Sequence, residues 1–290
     1  METGEKAHVT ASVLPGEIRD LLESRIENSS FDLPLLPDVA MRVMTLCSFE
    51  DSDAAQLSEV LHQDQAFAGH VLRIANSPVM MPKVPIVSLQ QAVSRLGMTA
   101  VAEIALAISV QSKTFNVAGH MELVRKLWRH SLGAGSFAKE IARVRRRNVE
   151  GAFLCGLLHD VGKPIVLDSI TELEKERGKD YSLDVLTAAM DLYHDQVGAL
   201  LAKEWGLPQQ VAEAIRYHHD YKNAPSFTEA AMMVNLADHL THLALPTTRE
   251  LVEQEVRGLA VVQELNLYSD DFDELLDHAQ KIILLVEAMA

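Results

Sequence analysis

The second half of this 290-residue chain concentrates side chains able to hold metal ions: His130, His159, Asp160, His194, His218, His219 and Asp238. Imidazole and carboxylate ligands suit iron, manganese or zinc, and one aspartate can bridge two ions through its two oxygens. In LCGLLHDVGK a strongly apolar helix delivers His159 and Asp160 to its last turn, just before Gly162 ends it. Buried charges without partners cost several kcal/mol, so something must compensate them. A bound metal does this, and so does an ion pair with Lys163. His218 and His219 pose the same problem after VAEAIRY, where Val211, Ala214 and Ile215 form a buried stripe. Adjacent helical side chains point about 100° apart. Both histidines can therefore serve one site only near a helix end, and Asp220-Tyr221-Lys222-Asn223 marks such an end. Asp238 lies in the apolar segment NLADHL. His62, His70, His120, His239, His242 and His278 read as ordinary surface or hydrogen-bonded histidines.

Helices must position these groups. Apolar spacing predicts a helix over Gly16 to Asn28, a loop from Phe31 to Pro37, and a helix from Asp38 with Val39, Val43 and Leu46 on one stripe. Ser52 or Asp53 caps a helix carrying Leu57, Val60 and Leu61, and Asp64 caps QAFAGHVLRIANS. Ser88 begins LQQAVSRLG, closed by Gly97 in the left-handed position, and Thr99 caps the next helix, with Val101, Ile104, Ala105, Ile108 and Ser109 on one face. Met121 to Arg145 reads as one helix or two, since Gly133 and Gly135 weaken its middle. After the apolar helix at 150–160, Glu172 to Lys179 reads as a solvent-facing segment or loop. Helices follow near Leu183 to Trp205, Pro208 to His218, Thr228 to His242, Arg249 to Leu265 and Phe272 to Ala288. The expected fold is all-α and in two parts. Residues 1–12 form a disordered tail, 13–117 a bundle of short helices, and 118–290 a second helical bundle, with the cut between Lys113 and Gly119.

Composition sets outer bounds. The chain is 48% hydrophobic but only 5% aromatic, which favours helix packing over an aromatic-rich sandwich. A formal net charge of -15 repels phosphate backbones, so nucleic acid is not an expected partner. The dense basic run Arg143, Arg145, Arg146 and Arg147 falls near a helix end, where cations suit the dipole. A local phosphate or partner site is the sharper alternative. Cys47 and Cys155 lie in apolar helical surroundings and suit a reducing cytoplasm rather than a disulfide framework. No apolar stretch approaches the roughly 20 residues of a membrane span, and the N-terminus has no signal-peptide pattern, so a cytoplasmic protein is expected. GxGxxG and GxxxxGK[ST] are both absent.

The order of these residues resembles that of the HD metal-dependent phosphohydrolase superfamily. His130 in LWRHSLGAGSFAKEIA is similar to its first metal histidine, His159-Asp160 to the pair behind the name, and Asp238 to the final aspartate. The resemblance implies that these four form a ligand set and that Lys163 stabilises substrate phosphate. The HD-GYP branch, which degrades cyclic di-GMP with two or three metals, is closer still: His194 in YHDQVGALLAKEWGLP and the pair His218-His219 match its further metal histidines. The chain departs from that branch twice. DYKNAPS stands where a Gly-Tyr-Pro signature belongs, and Lys126 stands four residues before the first histidine, where many members have Glu. In the first half, LPLLPDVAMRVMTL, LSEVLHQDQAFAGHVLRIANSP and VSLQQAVSRLGMTAVAEIALA resemble the HDOD output domain, from about Leu33 past Ile215. That family implies an all-helical bacterial signalling module, many of whose members have lost catalytic residues and act through binding.

Three functions are consistent with these residues. The first is a metal-binding signalling or interaction module holding one or two Fe, Mn or Zn ions and presenting the N-terminal bundle to a signalling protein. The second is a phosphohydrolase acting on a nucleotide or cyclic dinucleotide, with Asp160 and Lys163 as catalytic residues. The third is a metal-free scaffold.

Overall fold

The computed structural model describes residues 14–36, 38–48, 54–62, 65–80, 84–245 and 251–290, and among these there are helices and no strand. The proposed tail at 1–12, the caps Ser52, Asp53 and Asp64, and the side chains of Cys47 and His62 lie outside the described residues. Helix α1 (Gly16–Glu27) is followed by α2 (Asp38–Ser48), α3 (Ala54–His62), α4 (Gln65–Ala75), α5 (Leu89–Leu96) and α6 (Met98–Thr114). Leu57, Leu61, Ile74, Leu89, Val101 and Ala105 are fully or almost fully buried in their common core. Ser88 caps α5 by accepting a hydrogen bond from the Gln91 amide at 3.2 Å.

The junction between α5 and α6 differs from expectation. Gly97 has φ +87° but ψ 158°, an extended glycine conformation rather than the left-handed helical one. It serves as the N-cap of α6, so Thr99 lies inside the helix instead of capping it, with its Oγ1 3.4 Å from Glu150 Oε1.

The second half consists of α7 (Met121–Val144), α8 (Val149–Leu158), α9 (Gly162–Arg177), α10 (Leu183–Glu204), α11 (Gln209–Tyr217) and α12 (Thr228–Ala244). Helix α7 is one uninterrupted helix of 24 residues, because its glycines sit where neighbouring helices press closest. The arginine run falls at its end, where Arg145 and Arg147 lie 3.4 and 2.8 Å from Glu229 and Arg143 pairs with Glu140. Two expectations require correction. Gly162 opens α9, with Pro164 tolerated in the first turn, and the supposed loop from Glu172 belongs to that helix as far as Arg177. Lys175, Glu176 and Arg177 face solvent as expected, but buried Glu174 accepts from the Tyr181 amide at 2.8 Å, and Glu172 pairs with Arg25 at 2.9 Å. In the tail, each expected helix is two: α13 (Glu253–Arg257) and α14 (Ala260–Glu264), then α15 (Ser269–Asp277) and α16 (Ala279–Met289).

Helix α1 packs on α9 and α10, held by Arg25 to Ser169 Oγ at 3.0 Å, Tyr193 to Glu23 at 3.1 Å, and the Trp205 indole to the Pro34 carbonyl at 2.6 Å. Cys155 is buried in α8, and burial pushes its thiol up to about 12. Since the thiolate is the reactive form, Cys155 is expected to resist iodoacetamide at pH 8 in folded protein and to react fully in denaturant, as read by peptide mass spectrometry. No described helix is long and apolar enough to cross a membrane.

Candidate metal centre

Five helices deliver ionisable groups to one point. His130 comes from the middle of α7, and His159 and Asp160 from the turn that ends α8. His194 comes from α10, His218 and His219 from the end of α11, and Asp238 from α12. All are buried except His219, which is exposed. The structure brings all seven together. His130 Nε2 lies 2.9 Å from Asp238 Oδ1 and 3.8 Å from Asp160 Oδ2, and His159 Nε2 lies 3.4 Å from Asp160 Oδ2. On the other side of the carboxylate, His194 Nε2 is 3.3 Å from Asp160 Oδ1, and the His218 and His219 rings are 4.0 Å apart. Asp160 is thus central, with one oxygen towards His130 and His159 and the other towards His194. Lys163, the second residue of α9, reaches Asp160 Oδ2 at 2.7 Å.

Small residues make the convergence possible. A Cβ on Gly156 would stand 2.5 Å from the Ala134 carbonyl oxygen and 2.8 Å from the Gly135 Cα. Helices α7 and α8 can therefore touch backbone to backbone, which sets the His159 ring 5.3 Å from that of His130.

The imidazole tautomers follow from the backbone. Nδ1 of His159 donates to Gly156 O at 2.7 Å, that of His194 to Met190 O at 2.9 Å, and that of His218 to Ile215 O at 2.9 Å. A carbonyl only accepts, so each ring carries a proton on Nδ1, and the rings of His194 and His218, when neutral, point an Nε2 lone pair inward. The Nε2 atoms of His194 and His218 are 3.3 Å apart, so two lone pairs face one another beside a carboxylate oxygen. Both ring nitrogens of His130, His159 Nε2 and both Asp160 oxygens are buried without a well-formed hydrogen bond, Lys163 making only an ion-pair approach. Beside the Lys163 ammonium, buried acceptors arranged in this way could hold a further cation, and the nitrogen and oxygen donors fit a borderline transition metal.

Electrostatics agree for His194 and His218, whereas burial of His159 is more than offset by Asp160, which lifts that imidazole above its ordinary value. Burial pushes the His194 imidazole down to about 3 against the attraction of Asp160. Burial likewise takes His218 down to about 3, with His159 and His194 adding to the effect. Burial disfavours the Asp160 carboxylate, but His159 and Lys163 more than offset this and hold it well below the usual carboxylate range. Lys163 is partly buried, which works against its charge, yet Asp160 and then Asp191 keep its ammonium above its ordinary value.

Two nearby groups were not singled out from sequence. Asp191, one turn before His194, lies 3.6 Å from Lys163. His242, one turn after Asp238, places Nε2 3.4 Å from Asp238 Oδ1. Spacings of three and four residues from a ligand were the available signal. The other described histidines have ordinary partners: His120 with Glu174, His278 with Glu140, His70 with Arg73, and His239 with the Asn235 carbonyl. Lys126 is exposed, 4.0 Å from Glu122, and DYKNAPS forms a short turn at Tyr221–Asn223, just before α12.

Comparison with known proteins places this geometry in context. The model of the HDOD domain matches residues 33–221. A candidate metal-dependent phosphohydrolase of Shewanella amazonensis has the same fold, with TM-score 0.72 and 22% identity over 94% of this chain and 100% of that one. An HDOD domain protein of unknown function from Geobacter sulfurreducens superposes with TM-score 0.70 and 25% identity, covering 92% of this chain and 99% of the other. Ribonuclease Y of Thermus thermophilus is 28% identical over 139 residues, which is 48% of this chain and 20% of the enzyme. The chain spans less than half the length of such curated relatives.

Proposed function

From the premise that this chain belongs to the HDOD domain family, we propose that it is a signalling module that holds a transition metal, Fe, Mn or Zn, between α7, α8, α10, α11 and α12. In this reading the ligands are His130, His159, Asp160, His194, His218, His219 and Asp238. The observation that carries it is the 3.3 Å approach of two inward-facing Nε2 atoms beside an Asp160 oxygen, with a neutralising cation as the simplest occupant. Binding the folded state alone, the metal would stabilise the arrangement of five helices. The N-terminal bundle would then be offered to a signalling protein partner in a metal-dependent form.

A phosphohydrolase is the second reading, favoured by Lys163 and by an open edge of the centre. His219 is exposed, and the Asp191 side chain beside Lys163 is 56% exposed. A metal bound here would supply Lewis acidity and lower the pKa of a coordinated water. Lys163 would stabilise negative charge on a phosphoester, and Asp160 would hold both the ligand sphere and that lysine in place. The substrate class would be a nucleotide or cyclic dinucleotide.

Elemental analysis of protein purified without chelator is expected to find a transition metal in wild type and little in Asp160→Ala. Wild type without metal, but fully folded, would refute the metal-holding reading. Incubation of Mn-loaded wild type with cyclic dinucleotides, nucleotides and short RNA separates the two readings. The module reading expects no turnover beyond the Asp160→Ala background.

A further inference from the structure

Resting on the metal-holding reading above, we infer that His242, outside the ligand set that the resemblance implies, is a metal ligand, sharing an ion with His130 and Asp238 at a position separable from that of His194, His218 and His219. Three groupings of donor atoms have their atoms within 4.8 Å of one another: His194 with His218 and His219 at one end of the cluster, His130 with Asp238 and His242 at the other, and His130 with His159 and Asp160 between them. Asp160 lies between the two ends, its Oδ1 towards His194 and its Oδ2 towards His130.

Three observations support the position at His242. Asp238 Oδ1 is approached by two imidazoles, His130 Nε2 at 2.9 Å and His242 Nε2 at 3.4 Å, and the two rings are 4.5 Å apart. His130 is almost wholly buried, its Nδ1 has no hydrogen-bond partner and its Nε2 meets only carboxylate, 2.9 Å from Asp238 Oδ1, unlike the carbonyl-anchored rings of His159, His194 and His218. The crossing of α7 and α12 is also built for close approach. A Cβ on Gly133, one turn beyond His130, would stand 2.6 Å from Thr241 Cγ2, and Thr241 lies between Asp238 and His242 in sequence. Without a side chain at that point, α12 can present Asp238 and His242 together, since residues four apart share a helix face.

Two imidazoles and a carboxylate are an ordinary ligand set for zinc or a related ion, with further positions left for Asp160, water or an incoming oxygen ligand. Here the ion would coordinate His242 directly, and the hydrogen bond between His242 and Asp238 would be its metal-free substitute.

The test is titration of the full-length, metal-stripped chain with Co²⁺ alone, counting bound metal by elemental analysis and following visible absorption. Wild type is expected to bind two ions. His242→Gln, whose amide can still donate to Asp238, is expected to bind one fewer and to lose one component of the spectrum. His218→Ala is expected to lose the other component and to keep the one at His242. Wild-type stoichiometry and spectrum in His242→Gln would overturn the inference while leaving the metal-holding function intact. A single ion in wild type would do the same. No Co²⁺ bound by wild type would overturn both. Should a variant lose its fold, paramagnetically shifted imidazole signals of Co²⁺-loaded wild type decide, because an unshifted His242 ring is not a ligand.

Discussion

Stripping the purified protein of metal is expected to lower its Tm by about 8 °C, and adding back Mn or Zn to restore it. A ligand held at a thousand times its Kd stabilises the native state by about 4 kcal/mol, and a domain of this size shifts by about 2 °C per kcal/mol. The effect should be large because the unmetallated centre is poorly satisfied: His159 Nε2, both His130 ring nitrogens and both Asp160 oxygens are buried without well-formed hydrogen bonds. Removing the ion leaves the inward-facing Nε2 atoms in place, since the His159, His194 and His218 rings remain anchored through Nδ1 to their own helices. The comparison that decides is Asp160→Ala, which loses the central carboxylate. Its Tm should be insensitive to chelator, whatever its absolute value. A wild-type Tm that also ignores chelator and added metal, followed by differential scanning calorimetry, would mean that the histidines are satisfied some other way.

Much of this centre was legible because it breaks a local rule. Apolar helical segments rarely carry His-Asp or His-His at their ends, and the structure puts those residues in contact across five helices. His242 was harder to identify. A histidine four residues after an aspartate near the end of a helix looks the same whether it faces solvent or a cluster. What distinguishes it is the approach of α7 at Gly133, a tertiary fact. The segment from Glu172 was legible in part. Its charges suggested solvent, which Lys175 to Lys179 do face, but α1 and the Tyr181 backbone provide Glu172 and Glu174 with partners that no local window contains. The tail helices ran together in the periodicity because their breaks are short: Gly258 and an extended Leu259 in the first, and in the second His278 alone, with right-handed helical φ and ψ. Gly162 was recognised as a boundary but assigned to the wrong side of it. Local propensity marks a discontinuity, whereas the direction in which the chain resumes is set by packing.

That glycine carries the second large effect. Gly162→Ala is expected to destabilise the protein by about 3 kcal/mol or more and to lower metal occupancy in whatever folded protein remains. A Cβ at this position would fall inside the contact radius of the His194 carbonyl oxygen and 2.7 Å from the Gly198 amide nitrogen. Both are backbone atoms of α10, so no side-chain rotation relieves the clash, and overpacking of this kind forces whole elements apart. The displacement would fall between α9, which begins two residues after Asp160, and the turn of α10 that carries His194. Moving α10 outward lengthens the 3.3 Å separations from His194 Nε2 to Asp160 Oδ1 and to His218 Nε2, on which the centre depends. Intrinsic helix propensity predicts the opposite sign, since alanine is favoured over glycine inside a helix by about 1 kcal/mol. Urea denaturation of Gly162→Ala beside Gly69→Ala, where a Cβ meets nothing within 4 Å, separates the two effects. The first variant should lose stability and metal together, and the second should be neutral or slightly stabilised. Equal stability of the two would show that α9 and α10 can part without cost.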